Sequence, residues 1–205
     1  MTAPYRIDLS RALARARTGI AGLASLARFR VLSPHRGGPL GTDDLNARLA
    51  ARFKAGQGAA FEPILVERND RVLGLYNGDL GLREARGAGR PGARVFFESA
   101  ADRAQQDAGG AALSVRDLSE LRLPPHSPCW AMSVHKSQGS EFDTVLLVLP
   151  DRMSPVLTRE MLYTAITRAR ERSVVWAPRE VLAQCIARRV ERRSGLRDLL
   201  WRPGD

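Results

Sequence analysis

The hydrophobic pattern changes period twice within the first sixty residues. Leu9, Leu13, Ala16, Ile20, Leu23 and Ala27 fall on roughly one helical stripe, with Arg11, Arg15 and Arg17 largely outside it, which predicts an amphipathic leading helix within 1–28. The run Phe29-Arg30-Val31-Leu32-Ser33 then predicts a buried strand, followed by a Pro/Gly loop from Pro34 to Gly41. A helix is expected next, capped by Thr42, carrying Asp43 and Asp44 in its first turn and turning Leu45, Leu49 and Phe53 inward. Strand, loop and helix in that order open a parallel α/β unit, so 29–61 is expected to be the first part of a parallel-sheet domain.

Between residues 62 and 127 the periodicity shortens. Short β-like runs at 63–67, 72–76, 80–84, 93–98 and 112–115 are separated by turn chemistry such as Asn77-Gly78-Asp79 and the Gly87 to Gly92 stretch. A small β-barrel insert is the expectation, with polar Ala100 to Gly110 as a loose loop. From Pro128 the α/β rhythm returns: a strand at 129–134, a polar loop at 135–143, a strand at 144–149, a helix at 158–170, a strand at 173–177 and a helix from Pro178. The insert therefore interrupts one domain, whose second part is expected over 128–201. The chain then turns basic through Arg188, Arg189, Arg192, Arg193 and Arg197, and Leu196, Leu199, Leu200 and Trp201 offer an apolar docking stretch.

Composition adds a partner class. Over 205 residues, 32 Lys and Arg oppose 22 Asp and Glu for a formal charge of +10, which suits a polyanion such as nucleic acid. All but Lys54 and Lys136 of these cations are arginines, so an Ala/Arg/Gly-rich bias of a GC-rich genome accounts for part of the excess. Cys129 and Cys185 stand in no paired metal or redox spacing and read as buried free thiols of a reducing compartment. The chain lacks an apolar run of the roughly 18 residues a bilayer span needs, and its first residues lack a signal peptide's apolar centre, so no membrane partner and a cytoplasmic location are expected.

The densest polar chemistry sits in Trp130-Ala-Met-Ser133-Val-His135-Lys136-Ser137-Gln138-Gly139-Ser140-Glu141-Phe142-Asp143, a strand running into a loop ahead of the apolar stretch Val145 to Leu149. The edge of a parallel sheet is where ligands bind. His135, Lys136, Ser137 and Gln138 offer donors, Gly139 permits close backbone approach, and Glu141 is an acceptor able to hold a sugar hydroxyl. Such a set suits a phosphate-ribose chain, where an arbitrary polar loop would be only a solvated turn.

This string resembles motif V of superfamily 1 helicases, in the form characteristic of RecD-like enzymes, the alpha subunits of exodeoxyribonuclease V. Tyr163-Thr-Ala-Ile-Thr167-Arg168-Ala-Arg170 resembles motif VI of the same enzymes, and Ser33-Pro-His-Arg36-Gly-Gly-Pro-Leu-Gly41 stands after a strand as motif IV would. Arg68-Asn69-Asp70 with Gly74-Leu-Tyr76-Asn-Gly78-Asp79-Leu-Gly81 resembles the SH3-like 2B segment. The resemblance implies a RecA-like motor domain 2A interrupted by an SH3-like 2B insert, in a motor translocating 5′ to 3′. It implies that Arg168 acts as an arginine finger on ATP, with Arg36 as a second phosphate sensor. Glu141 would meet the nucleotide ribose, with Gln138 and Gly139 on the same side. Ser133, His135, Lys136 and Ser137 would contact single-stranded DNA. The partners implied are that DNA, an N-terminal helicase domain, and the RecB and RecC subunits.

Other chemistry is missing. A P-loop needs glycines ahead of a Lys-Ser/Thr pair, whereas Lys136-Ser137 follows His135 and the Gly87 to Gly92 stretch holds no lysine. The resemblance implies that ATP and Mg2+ are held mainly by an N-terminal lobe absent here, leaving this chain without appreciable hydrolysis of its own. Asp151 after the apolar strand reads as a turn residue, and the scattered carboxylates do not suit metal-dependent nuclease chemistry. Two alternatives stay open: a non-catalytic module binding single-stranded DNA or a helicase partner, and a basic RNA-binding protein built on an SH3-like barrel.

Overall fold

The computed structural model describes residues 19–55, 61–84, 93–98 and 115–190, with side chains omitted at 19–21 and 53–55. The expectations for Leu9, Leu13 and Ala16, for the Ile20 and Phe53 side chains, for Gly87 to Gly92, Ala100 to Gly110 and 112–114, and for the stretch beyond Val190 lie outside the described residues.

Helix α1 (Gly19–Arg28) leads directly into β1 (Phe29–Ser33), and α2 (Thr42–Ala55) follows the Pro/Gly loop. The later strands of this unit are β7 (Ala131–Ser133), β8 (Phe142–Val148) and β9 (Ala169–Trp176), with α3 (Arg159–Ile166) and α4 (Arg179–Ala187) beside them. The four strands form one sheet in the order β7-β1-β8-β9, every neighbouring pair parallel. Strand β1 is central, pairing Val31 with both Ala131 and Leu146, so residues distant in sequence are fixed level with one another.

Alternation along the strands supplies both faces of the layered domain. Leu32, Met132, Val145 and Leu147 pack with Leu162 and Ala165 of α3 and with Val181 and Cys185 of α4. On the other side Val31, Ala131 and Val148 meet Leu45 and Leu49 of α2. Helix α2 also closes the free edge of β7. The Asn46 amide donates to the Ala131 carbonyl at 3.0 Å and accepts from its N–H at 2.8 Å, standing in for a neighbouring strand.

The insert runs through β2 (Phe61–Val66), β3 (Leu80–Glu84), β4 (Arg94–Glu98), β5 (Val115–Ser119), a 3-10 turn at Glu120–Arg122 and β6 (His126–Pro128). These strands form an antiparallel five-stranded sheet in the order β5-β4-β3-β2-β6. Where a small β-barrel is expected, the described strands form an antiparallel sheet with β5 and β6 as its two edges. The strand expected at 72–76 is instead a turn stabilised by one isolated bridge between Asp70 and Leu75. The reason is local: the Asp70 carboxylate accepts from Leu73 N and the Asp79 carboxylate from Tyr76 N, so side chains satisfy the backbone that a strand would have used. The insert and the parallel-sheet unit share core. Phe61 and Leu82 pack with Leu26 and Trp130, while Leu65 joins the cluster around Leu32 and Met132.

Two boundary expectations change. Helix α3 stops at Ile166 and β9 begins at Ala169, earlier than the expected 173, so Arg168 occupies the turn between them rather than a helical position. Thr42 lies inside the first turn of α2, whose first backbone bond runs from Leu45 N to the Gly41 carbonyl, which makes Gly41 the cap. A Cβ at Gly41 would stand 2.5 Å from the Gly37 carbonyl oxygen, so glycine is required by close backbone approach. Among the described residues, no helix is long and apolar enough to cross a membrane.

Candidate nucleotide cleft and nucleic-acid groove

All four strands run the same way, so loops entering β8 and β9 gather at one edge of the sheet and loops leaving β1 and β7 at the other. The loop from Val134 to Glu141 crosses between those edges. It is wound by bonds from Ser137 N to Ser133 O at 3.1 Å, Gln138 N to His135 O at 3.2 Å and Ser140 N to Ser137 O at 3.0 Å. The Ser133 hydroxyl accepts from Lys136 N. Gly139 takes φ 83°, the left-handed conformation that turns the chain toward β8 at little steric cost.

At the amino edge a cleft of about 730 Å3 is lined by Gly139, Ser140, Glu141, Phe142, Arg168 and Arg170, with α1 and the insert residues Gly78, Asp79 and Leu80 as its other walls. Arg168 is partly buried and held from two sides. Its Nε donates to the Thr164 carbonyl at 3.2 Å and its Nη1 to the Ser140 carbonyl at 3.3 Å, while its own carbonyl accepts from Phe142 N at 2.8 Å. A guanidinium has five N–H donors, so this anchoring leaves donors for an anion in the cleft. Arg170 Nε stands 3.1 Å from Glu141 Oε2, an exposed pair. Sequence reasoning anticipated Gly139, Glu141 and Arg168; the structure brings all three into this cleft and leaves the Gln138 side chain exposed on the loop above it.

At the carboxyl edge a groove of about 360 Å3 is lined by Arg36, Asn46, Glu67, Ser127, Ser133 and Lys136, among others. The structure does not bring Arg36, expected beside Arg168, into the cleft that Arg168 lines. Arg36 follows the end of β1 whereas Arg168 precedes the start of β9, and a five-residue strand at ~3.3 Å per residue separates those edges by about 17 Å. Ser137 also departs from its expected role: it is fully buried, and its hydroxyl donates to the Val134 carbonyl at 2.7 Å, shaping the loop from inside. His135 and Lys136 are exposed, and Ser133 is partly so.

Sequence reasoning missed Arg30. On the central strand it is fully buried, donating to the carbonyls of Cys129 at 3.0 Å and Leu26 at 3.2 Å, with its guanidinium carbon 5.1 Å from the centre of the Phe142 ring. It thereby ties α1, the end of the insert and the first residue of β8 together beneath the cleft. Burial pulls its pKa below the usual arginine value. One cation inside an otherwise apolar strand was the available signal, lost among so many arginines.

Residues 128–176, which hold β7, β8, α3 and β9, match the UvrD-like helicase C-terminal domain. The likeness extends beyond that segment. The RecBCD enzyme subunit RecD of Mycobacterium tuberculosis is 35% identical over 98% of this chain and 33% of its own length. RecD of Haemophilus influenzae is 33% identical over 83% of the chain and 25% of its own length. The ATP-dependent RecD2 DNA helicase of Deinococcus radiodurans is 35% identical over 70% and 19%. The chain belongs to the RecD-like superfamily 1 helicases, spanning a third or less of the length of these relatives. In fold it is similar to the Pif1 helicase from Bacteroides solved with ADP-AlF3 and ssDNA, at TM-score 0.51 and 17% identity, over 94% of this chain and 48% of that one.

Proposed function

We propose that this chain is the second lobe of a two-lobed ATP-driven motor, part of a 5′-to-3′ DNA helicase of the RecD type acting in recombination and double-strand break repair. The observation that carries the reading is the convergence of Gly139, Glu141 and Arg168 on one open cleft in a sequence without a phosphate cradle. Such a cleft is half of a nucleotide site, completed by a P-loop lobe. Bound ATP with Mg2+ would supply the phosphoryl group and its charge. Arg168, already oriented by two carbonyls, would direct its remaining donors at that charge. Preorganisation matters, because a donor that need not reorient loses nothing when charge develops. Glu141 would hold the ribose through its free oxygen, with Gly139 and Gln138 shaping the approach.

Ser133, His135 and Lys136 would contact the backbone of single-stranded DNA at the opposite edge, independently of sequence. The insert is read as the SH3-like 2B element. RecB and RecC are the assembly partners this reading names, and the cytoplasm its compartment.

The test mixes this chain with a matching N-terminal P-loop lobe and measures ATP turnover with and without a single-stranded oligonucleotide. Turnover that needs both parts and rises with oligonucleotide supports the reading. A P-loop lobe that turns over equally well alone removes it.

A further inference from the structure

The groove at the carboxyl edge holds one cation that the proposed single-strand contacts leave out. We infer that Arg36 grips a phosphodiester of single-stranded nucleic acid on the same track as Ser133 and Lys136, and takes no part in sensing the nucleotide. The inference rests on the proposed reading of that groove and extends it to a second loop.

Three observations carry it. Arg36 lines the groove with Ser133 and Lys136, because Ser33 and Ser133 are register partners and the loops leaving β1 and β7 therefore emerge level with each other. Its backbone is fixed: the Arg36 carbonyl accepts from Asp43 N at 3.0 Å, the His35 carbonyl accepts from Thr42 N at 2.9 Å, and His35 Nε2 lies 2.9 Å from Ser154 Oγ, which braces the loop against the one leaving β8. The side chain is by contrast 82% exposed, its guanidinium 3.7 Å from Asp43, which is itself 65% exposed. A rigid base under a free, loosely paired guanidinium suits exchange of a carboxylate partner for a phosphate.

The site also fits the topology. Chain connections leave β1 and β8 in opposite directions across the sheet, and the crevice outside the carboxyl ends at such a switch point is where open parallel sheets take ligands. The His35–Ser154 contact spans that crevice, and Arg36, on the same loop, faces the groove on the β7 side of it. Asp43 and Glu67 balance Arg36 and Lys136 in the groove lining, so the grip is local geometry rather than a long-range field.

The phosphate could belong to nucleic acid or to a nucleotide, and two arms separate these. In the first, binding of a labelled 20-nucleotide oligothymidylate to this chain is followed by fluorescence anisotropy across a salt series. Arg36→Ala is expected to flatten the plot of log affinity against log salt by about 0.7, the loss of one phosphate contact on a single strand, and Lys136→Ala to do the same. Arg36→Lys is expected to restore the slope, with circular dichroism confirming an unchanged fold. In the second arm, ADP affinity of the motor reassembled with its P-loop lobe is expected to be unchanged by Arg36→Ala. An unchanged slope for Arg36→Ala beside a flattened one for Lys136→Ala overturns the assignment of Arg36 and leaves the groove standing. Unchanged slopes for both, or no binding by the parent chain, overturn both readings. A drop in ADP affinity returns Arg36 to the nucleotide.

Discussion

The two edges of the parallel sheet handle their arginines in opposite ways. At the amino edge Arg168 is partly buried and anchored to two backbone carbonyls; at the carboxyl edge Arg36 projects into solvent from an anchored backbone. The first arrangement suits a guanidinium that must meet one charge in one geometry, where misplacement is costly. The second suits a partner that slides past, since a mobile tip can follow successive phosphates. Both edges are served by the loop from Val134 to Glu141, so a change at one has a short covalent route to the other.

The sharpest way to break this comparison is to remove the anchored arginine. Arg168→Ala, in the motor reassembled with its P-loop lobe, is expected to lower ATP turnover by about 10³-fold or more, while the salt dependence of oligonucleotide binding stays as in the parent. An equal loss of both activities would mean that the edges are not separate sites. Next in size is Asn46→Ala, which leaves the buried N–H and carbonyl of Ala131 without partners. At about 1–3 kcal/mol for each buried group, denaturant unfolding should report a loss of about 2–6 kcal/mol. A loss well under 1 kcal/mol would show that Asn46 does not hold the edge of β7.

Gly41→Ala comes third. Its new Cβ would meet the Gly37 and Arg36 carbonyl oxygens at 2.5 and 2.6 Å, so the β1 loop must shift, at a cost of about 1–3 kcal/mol by analogy with overpacked sites. Oligonucleotide affinity should fall with it, while ATP turnover at saturating oligonucleotide should not. A turnover defect of the same size would mean that strain in this loop reaches the cleft.

Much of the fold was legible because patterning and topology coincide. The runs at Phe29–Ser33 and Val145–Leu149 read as buried strands, and the helix after each, α2 and α3, returns the chain toward a parallel neighbour. The gathering of Gly139, Glu141 and Arg168 at one edge was legible too, since all three lie in stretches that precede strands of one parallel sheet. The separation of Arg36 from Arg168 was not legible, because a motif fixes which strand a residue follows but not which edge of the sheet it reaches. The 72–76 run was misread because alternation there reflects carboxylates capping a turn. Arg30 and Asn46 were invisible for a shared reason: both bond backbone atoms far along the chain, at Cys129 and Ala131, and no local pattern encodes such partners.

The smallest effect is the most specific to one edge. Asp44 accepts from Arg48 Nε at 2.7 Å and from Leu40 N at 2.9 Å, and these two bonds, the arginine's first, hold its pKa below the usual aspartate value. A depressed carboxylate pKa adds stability that is complete above the unfolded value of about 3.9 and is lost as pH falls through the folded value. Acidification should therefore loosen the corner at Leu40, a non-glycine residue at φ 62°, and with it the loop that carries Arg36. Followed by nuclear magnetic resonance from pH 6 downward, the Leu40 amide should shift with a midpoint below 3.9, and Asp44→Asn should abolish that titration. A midpoint at or above 3.9 would show that the Arg48 and Leu40 bonds do not favour the ionised form, and that the rigid base assigned to Arg36 does not depend on them.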